Sequence, residues 1–112
     1  MKTRLITVVE TAMFLRQADK IWSDEERAAL VDHMARNPEG GDVIPGTGGV
    51  RKMRWGRAGS GKRGGARVIY FYHDMDRPLY LLLACAKAQA GDMSTDEKKA
   101  VTALAVVIRR QG

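Results

Sequence analysis

The chain of 112 residues contains one cysteine, which excludes an internal disulfide and any cysteine-based zinc cluster and fits a reducing compartment. Long apolar runs are missing too. The longest, Leu79 to Ala86, is far shorter than the roughly 20 residues needed to span a bilayer as a helix. Near the N-terminus, MKTRLITVVE places Glu10 where a secretion signal would still be apolar, so a soluble cytoplasmic protein is expected, with no membrane partner. Aromatic residues make up only 6% of the chain, yet two tryptophans, three tyrosines and two phenylalanines can anchor one modest core. One domain over residues 1–112 is the expectation, with no internal repeat and no linker.

The most informative absence is that of acid. From Gly46 to Arg67 the chain reads GTGGVRKMRWGRAGSGKRGGAR, rich in glycine and cations and free of aspartate and glutamate. Residues 49 to 87 carry nine lysines and arginines against Asp74 and Asp76, a local balance of +7, whereas residues 1 to 48 carry six bases and eight acids, a balance of −2. The formal charge of +6 is therefore polarised along the chain. A field of one sign concentrated in one region draws in phosphates. The plainer reading is that these cations only solvate two strands and a loop.

The order of elements follows from periodicity. Thr3 to Val9 is rich in β-branched residues and reads as a strand. From Ala12 to Trp22, the residues Phe14, Leu15, Ala18, Ile21 and Trp22 recur at helical spacing. Ser23 with Glu26 makes a capping box that opens a second helix, whose core face holds Ala28 or Val31 with Ala29, Leu30 and Met34, and which should stop near Asn37 because Pro38 follows. These two helices form a hairpin with an acidic outer surface. Glu39 to Gly49, with five glycines and Pro45, reads as a loop. Val50 to Trp55, Ala66 to His73 and Leu79 to Ala86 read as strands, the last two joined as an antiparallel hairpin through Asp74 to Arg77. Leu79 to Ala86 does not alternate, which marks a central strand covered on both faces, with Cys85 as a small core residue. Met53 and Trp55 are expected in the core as well. Ser94 and Glu97 cap a final amphipathic helix through Ala100, Val101, Leu104, Val107 and Ile108. The result is an α+β fold in the order β-α-α-β-β-β-α: a small, mostly antiparallel sheet, an N-terminal helical hairpin and a C-terminal helix.

Several familiar sites can be set aside. Gly56 to Lys62 fits the opening of a P-loop, but Arg63 stands where a Ser or Thr would hold magnesium, and a strand follows where a helix must begin. His33 and His73 share no motif, and Asp74 and Asp76 flank a turn that aspartate favours, so neither a histidine-based nucleophile system nor a metal site is expected, and no cofactor. What is left is a set of cations on three strands. Lys52 and Arg54 are two apart and share a face, Arg67 begins the next strand and Lys87 closes the last. Hairpin pairing brings Arg67 near Lys87, and an even-numbered loop would pair Arg67 with Ala84. Such a cluster, with no carboxylate between its members, suits a phosphodiester. Fixed guanidinium groups stabilise the charge that builds on phosphorane oxygens when a ribose 2′-OH attacks, and a lysine among arginines is pushed toward accepting a proton. Binding of a nucleic-acid backbone alone requires the same residues.

GDVIPGTGG, RK-x-RW and GKRGG-x-RVIY in succession, followed by LYLLLACAKA and a capped helix, resemble the HigB branch of the RelE/ParE toxin superfamily along nearly the whole chain. The resemblance implies an endonuclease that cuts messenger RNA in the ribosomal decoding site and is held inactive by an antitoxin, for this branch a helix-turn-helix DNA-binding protein. It assigns Arg67 to the phosphorane oxygens, Lys52 and Arg54 to the scissile and neighbouring phosphates with Lys52 as candidate base, and Lys87 to the leaving group or a phosphate. Arg51, Arg57, Lys62 and Arg63 would then grip RNA or ribosome. The C-terminal tyrosine that some RelE enzymes stack on a base has no counterpart, since Met93 and Ser94 stand in that region; Tyr70, Tyr72 and Trp55 are the other rings to consider, with core packing the expected job of each. Two alternatives stay open: a gyrase poison of the ParE kind, which shares the architecture, and a basic module that only binds RNA or antitoxin.

Overall fold

A computed structural model describes residues 5–56, 65–86 and 93–111. Its elements are β1 (Val8–Glu10), α1 (Ala12–Ala18), α2 (Asp24–Arg36), β2 (Asp42–Val43), β3 (Val50–Trp55), β4 (Ala66–Phe71), β5 (Leu79–Cys85) and α3 (Thr95–Gln111). The sheet order is β1-β5-β4-β3-β2, mixed because β1 runs parallel to β5 while the other three pairings are antiparallel. The α+β architecture anticipated from periodicity is present, with one added strand, β2, in the segment expected to be loop.

Alternation along β4 sorts the core into two layers. Val68 and Tyr70 point to one face, where Phe14, Ala18 and Trp22 of the first helical segment and Leu30 and Met34 of α2 pack. Ile69 and Phe71 point to the other, against Val101 and Ala105 of α3. On β5, Leu79, Leu81, Leu82, Leu83 and Ala84 are all buried, as expected of a strand covered on both sides.

Local chemistry fixes the helix ends. Ser23 and Glu26 exchange both bonds of the capping box at 3.1 and 2.9 Å, and Ser94 and Glu97 repeat it at 3.1 and 3.0 Å. Thr11 caps α1 by accepting from the Phe14 N–H, while its hydroxyl donates to the Leu81 carbonyl at 2.8 Å and pins the helix start to β5. The two indoles also donate across the α2–β3 junction, Trp22 to the Gly56 carbonyl at 3.0 Å and Trp55 to that of Glu26 at 3.3 Å.

Four expectations need correction. Strand β1 is Val8–Glu10 and residues 5–7 ahead of it are not strand, because the Ile6 N–H leaves the sheet to bond the Ala35 carbonyl at the end of α2; Thr3 and Arg4 lie outside the described residues. Helix α1 ends at Ala18, beyond which the N–H groups of Ile21 and Trp22 both return to the Ala18 carbonyl in a tight turn. Ala28 and Ala29 are exposed, and only Leu30 and Met34 of α2 are fully buried. Cys85 is exposed rather than a core residue, standing at the very end of β5 opposite half-buried Arg67.

Candidate nucleic-acid interface

The β3–β4 ladder sets Arg54 opposite Arg67 and Lys52 opposite Ile69. Directly paired residues share a face, and Ile69 faces α3, so Lys52, Arg54 and Arg67 all lie on the α3 side of the sheet. Among the described residues, helix α3 packs on the Val50–Phe71 end of that side and leaves the Arg54–Arg67 end open. Arg54 is exposed and donates to the Gly65 carbonyl at 3.4 Å, while Lys52 and Arg67 are half-buried.

Register between β4 and β5 departs from simple alternation. Phe71 pairs with Tyr80 and Tyr70 with Leu81, but Ile69 pairs with Leu83, so one extra residue enters β5 and Arg67 comes to face Cys85 instead of Ala84. The Ala84 N–H, past the end of β1, donates to the Gln17 side chain at 2.9 Å. Lys87 lies outside the described residues, as do Arg57, Lys62 and Arg63.

Two hollows meet at these cations. One, of about 470 Å³, is lined by Gly40, Asp42, Lys52, Met53, Arg54 and Arg67. Its neighbour, of about 160 Å³, is lined by Ile44, Pro45, Lys52, Arg67, Met93 and Lys98. Lys52 and Arg67 belong to both, so the hollows form one trough across the open end of the sheet. Asp42, paired with Lys52 across β2 and β3, brings a carboxylate into a cluster that the sequence suggested was purely cationic.

Asp42 and Lys98 are the members that sequence reasoning missed. A signal for the first was available: Val43 and Ile44, then five residues containing three glycines, then Val50 and Arg51, is the pattern of a hairpin with a longer loop. Gly46, Gly48 and Gly49 take φ of 77°, 78° and 111° there, which other residues rarely adopt. The buried Thr47 hydroxyl donates to the Ile44 carbonyl at 2.6 Å and accepts from the Val50 N–H at 3.1 Å, closing the turn. Nothing local marks Lys98, which reaches the trough only because α3 crosses the sheet.

Arg51 is on the opposite face from the trough. Its guanidinium donates to the carbonyls of Gly41 at 2.8 Å and Glu39 at 3.3 Å, bracing the α2–β2 connection. Tyr70 braces the same segment, its hydroxyl accepting from the Gly41 N–H at 2.8 Å and donating to the Pro38 carbonyl at 3.0 Å. Burial raises its phenol above the ordinary value of 10.0, although the Gly41 N–H and the charge of Arg51 oppose the shift. A side chain on Gly41 would strike that hydroxyl at 2.7 Å and the Lys52 carbonyl at 2.8 Å, so glycine is required. Tyr70, Tyr72 and Trp55 all pack with the helical hairpin, away from the trough, in keeping with a core role for each.

Residues 6–111 match the family model of the RelE toxin of the RelE/RelB toxin–antitoxin system. The chain belongs to the RelE toxin family. It is also similar in structure to a double mutant of the Escherichia coli toxin RelE in the free state, with a TM-score of 0.58 and 15% sequence identity over 89% of this chain and 96% of that one. At that identity the likeness speaks for the fold. Membership of the RelE family makes the protein the toxin of a toxin–antitoxin pair and implies an antitoxin partner. Among the described residues no helix is long and apolar enough to cross a membrane.

Proposed function

We propose that this RelE-family toxin, of the HigB type, cuts messenger RNA during translation by directing a ribose 2′-OH onto the adjacent phosphodiester. The observation that carries the reading is the sharing of Lys52 and Arg67 between both hollows, with Arg54 directly across from Arg67: three cations from two adjacent strands at one open end of the sheet. In this scheme Arg67 and Arg54 stabilise the negative charge that accumulates on the phosphorane oxygens, an effect worth far more in the transition state than in the bound substrate. Lys52 takes the 2′-OH proton, and Lys87 contacts the leaving 5′-oxygen or a neighbouring phosphate. Arg57, Lys62 and Arg63, in the acid-free segment, grip RNA or ribosome. No metal or small cofactor enters the scheme.

A catalyst this small depends on the ribosome to orient its substrate, so translated transcripts are the substrate class and free RNA is cut slowly. The protein then works in the cytoplasm and is neutralised by a helix-turn-helix antitoxin. Induction in growing bacteria tests this. In-frame cuts confined to translated transcripts are the expected result, whereas loss of DNA supercoiling would identify a gyrase poison and unimpaired growth a simple binding module.

A further inference from the structure

We infer that the smaller hollow is a second nucleotide seat, in which Lys98 holds the phosphate next to the scissile one and Pro45 and Met93 receive a base without reading it. This rests on the endonuclease reading above. A strand whose scissile phosphate lies on Lys52 and Arg67 is already at the rim of the smaller hollow, because both residues line it. Lys98 lines the same hollow. Its ammonium nitrogen lies 3.7 Å from where a Cβ on Gly46 would be, close against the β2–β3 turn. The Lys98 N–H bonds the Ser94 carbonyl at 2.9 Å, so the capped first turn of α3 fixes where the side chain starts. Asp96 and Glu97 precede it on the helix, and Glu97 is engaged by the Ser94 N–H.

Between the cations the lining is Ile44, Pro45 and Met93, apolar and without an aromatic ring. At about 160 Å³ the hollow holds several times the ~30 Å³ share of one water. A polarisable thioether and a proline ring can hold the flat face of any base by dispersion, and neither side chain offers a donor or a strong acceptor to tell purine from pyrimidine. The seat therefore supplies what a stacking tyrosine would supply elsewhere, without its aromatic face.

The test uses the whole chain and non-cleavable 2′-deoxy hexamers, one purine and one pyrimidine, with cleavage on ribosomes followed in parallel. Lys98→Ala should weaken binding of both hexamers about three- to tenfold and make the salt dependence shallower by about one unit of slope. Lys99→Ala, which removes the adjacent charge, should change neither, and Met93→Ala should weaken both hexamers alike. Equal effects of Lys98→Ala and Lys99→Ala, or none from either, would overturn the seat while leaving the endonuclease reading intact. Hexamer binding with the expected Lys98 dependence but no cleavage on ribosomes would end the endonuclease reading and keep the seat as a binding site. A wild-type chain that binds neither hexamer yet cuts transcripts on ribosomes would end the seat and leave the endonuclease reading intact.

Discussion

Arg54 and Arg67 face each other directly across the β3–β4 ladder, two guanidinium groups on one face of the sheet at its open end. Like charges so placed destabilise a strand pair by about 0.2–1 kcal/mol. The buried positions of the same strands are filled by Val50, Val68 and Tyr70 instead. Two like charges set side by side on one sheet face are what a site for a polyanion would look like.

Arg67→Ala should therefore separate stability from activity. Relieving the repulsion keeps the unfolding free energy within about 1 kcal/mol of wild type, while loss of a charge aimed at the phosphorane slows cleavage by roughly 10²–10³. Urea denaturation and primer-extension mapping of cut transcripts would measure the two. Undiminished toxicity in a folded variant would remove Arg67 from the site.

Tyr70→Phe should cost about 1–3 kcal/mol, because it strands the Gly41 N–H and the Pro38 carbonyl that the hydroxyl now satisfies. Gly41→Ala should cost more, since the new methyl meets the Tyr70 hydroxyl and the Lys52 carbonyl at under 3 Å. Both changes lie behind Asp42 and Lys52, so RNA binding should weaken along with the denaturation midpoint. A Tyr70→Phe variant as stable as wild type would show that those bonds are replaced by water.

Much of this architecture was legible from pattern alone. Strand β3 runs from Val50 to Trp55 as periodicity requires, and both capping boxes form, because hydrophobic spacing and side-chain-to-backbone bonds act over a few residues. Relations between distant segments were not legible. The extra residue in β5 moves Arg67 from Ala84 to Cys85, and Cys85 ends up exposed at the close of the strand; neither follows from the composition of the strands themselves. Lys52 and Arg54 could be put on one face by counting. Asp42 and Lys98 enter the trough only through the hairpin and the helix crossing.

Asp42→Asn should tighten binding of a non-cleavable RNA about fivefold at low salt. The carboxylate opposite Lys52 opposes an incoming phosphate with roughly 1 kcal/mol in a surface environment, and the amide removes that opposition while keeping the shape. The gain should shrink as ionic strength rises. Tighter binding accompanied by a large loss of cleavage would mean that Asp42 takes part in the chemistry, and weaker binding would mean that it organises Lys52.

The turn before β5 carries a pH signature. Desolvation pushes the Asp74 carboxyl upward, but the His73 ring at 2.7 Å, the Asp76 N–H at 2.9 Å and the charge of Arg77 together outweigh it, holding the group below the ordinary value of 3.8. A carboxylate depressed in the folded state adds stability that is fully present above its unfolded pKa and disappears as pH falls through the folded one. Asp74→Asn should thus be less stable than wild type at pH 7, with the difference closing below about pH 3.8. Thermal melts across that range would check it, and a difference that persisted in acid would point to the Asx-type turn bond instead of the charge.

The β2–β3 turn ties stability to the shape of the trough. Thr47 is fully buried, and its hydroxyl is the partner of both the Ile44 carbonyl and the Val50 N–H. Thr47→Val keeps the volume and strands these groups, at a cost of about 1–3 kcal/mol, whereas Thr47→Ser keeps the bonds and loses one methyl, about 1 kcal/mol. Ile44 and Pro45, which line the trough on the α3 side, flank this bond, so Thr47→Val should also raise the amplitude of motion there and weaken binding of RNA hexamers, with Thr47→Ser restoring affinity. Hydrogen exchange at the Val50 amide reads the turn directly: protection should fall in the valine variant and return in the serine variant. Equal protection in all three would mean that the glycine conformations at 46, 48 and 49, and not the hydroxyl, hold the turn closed.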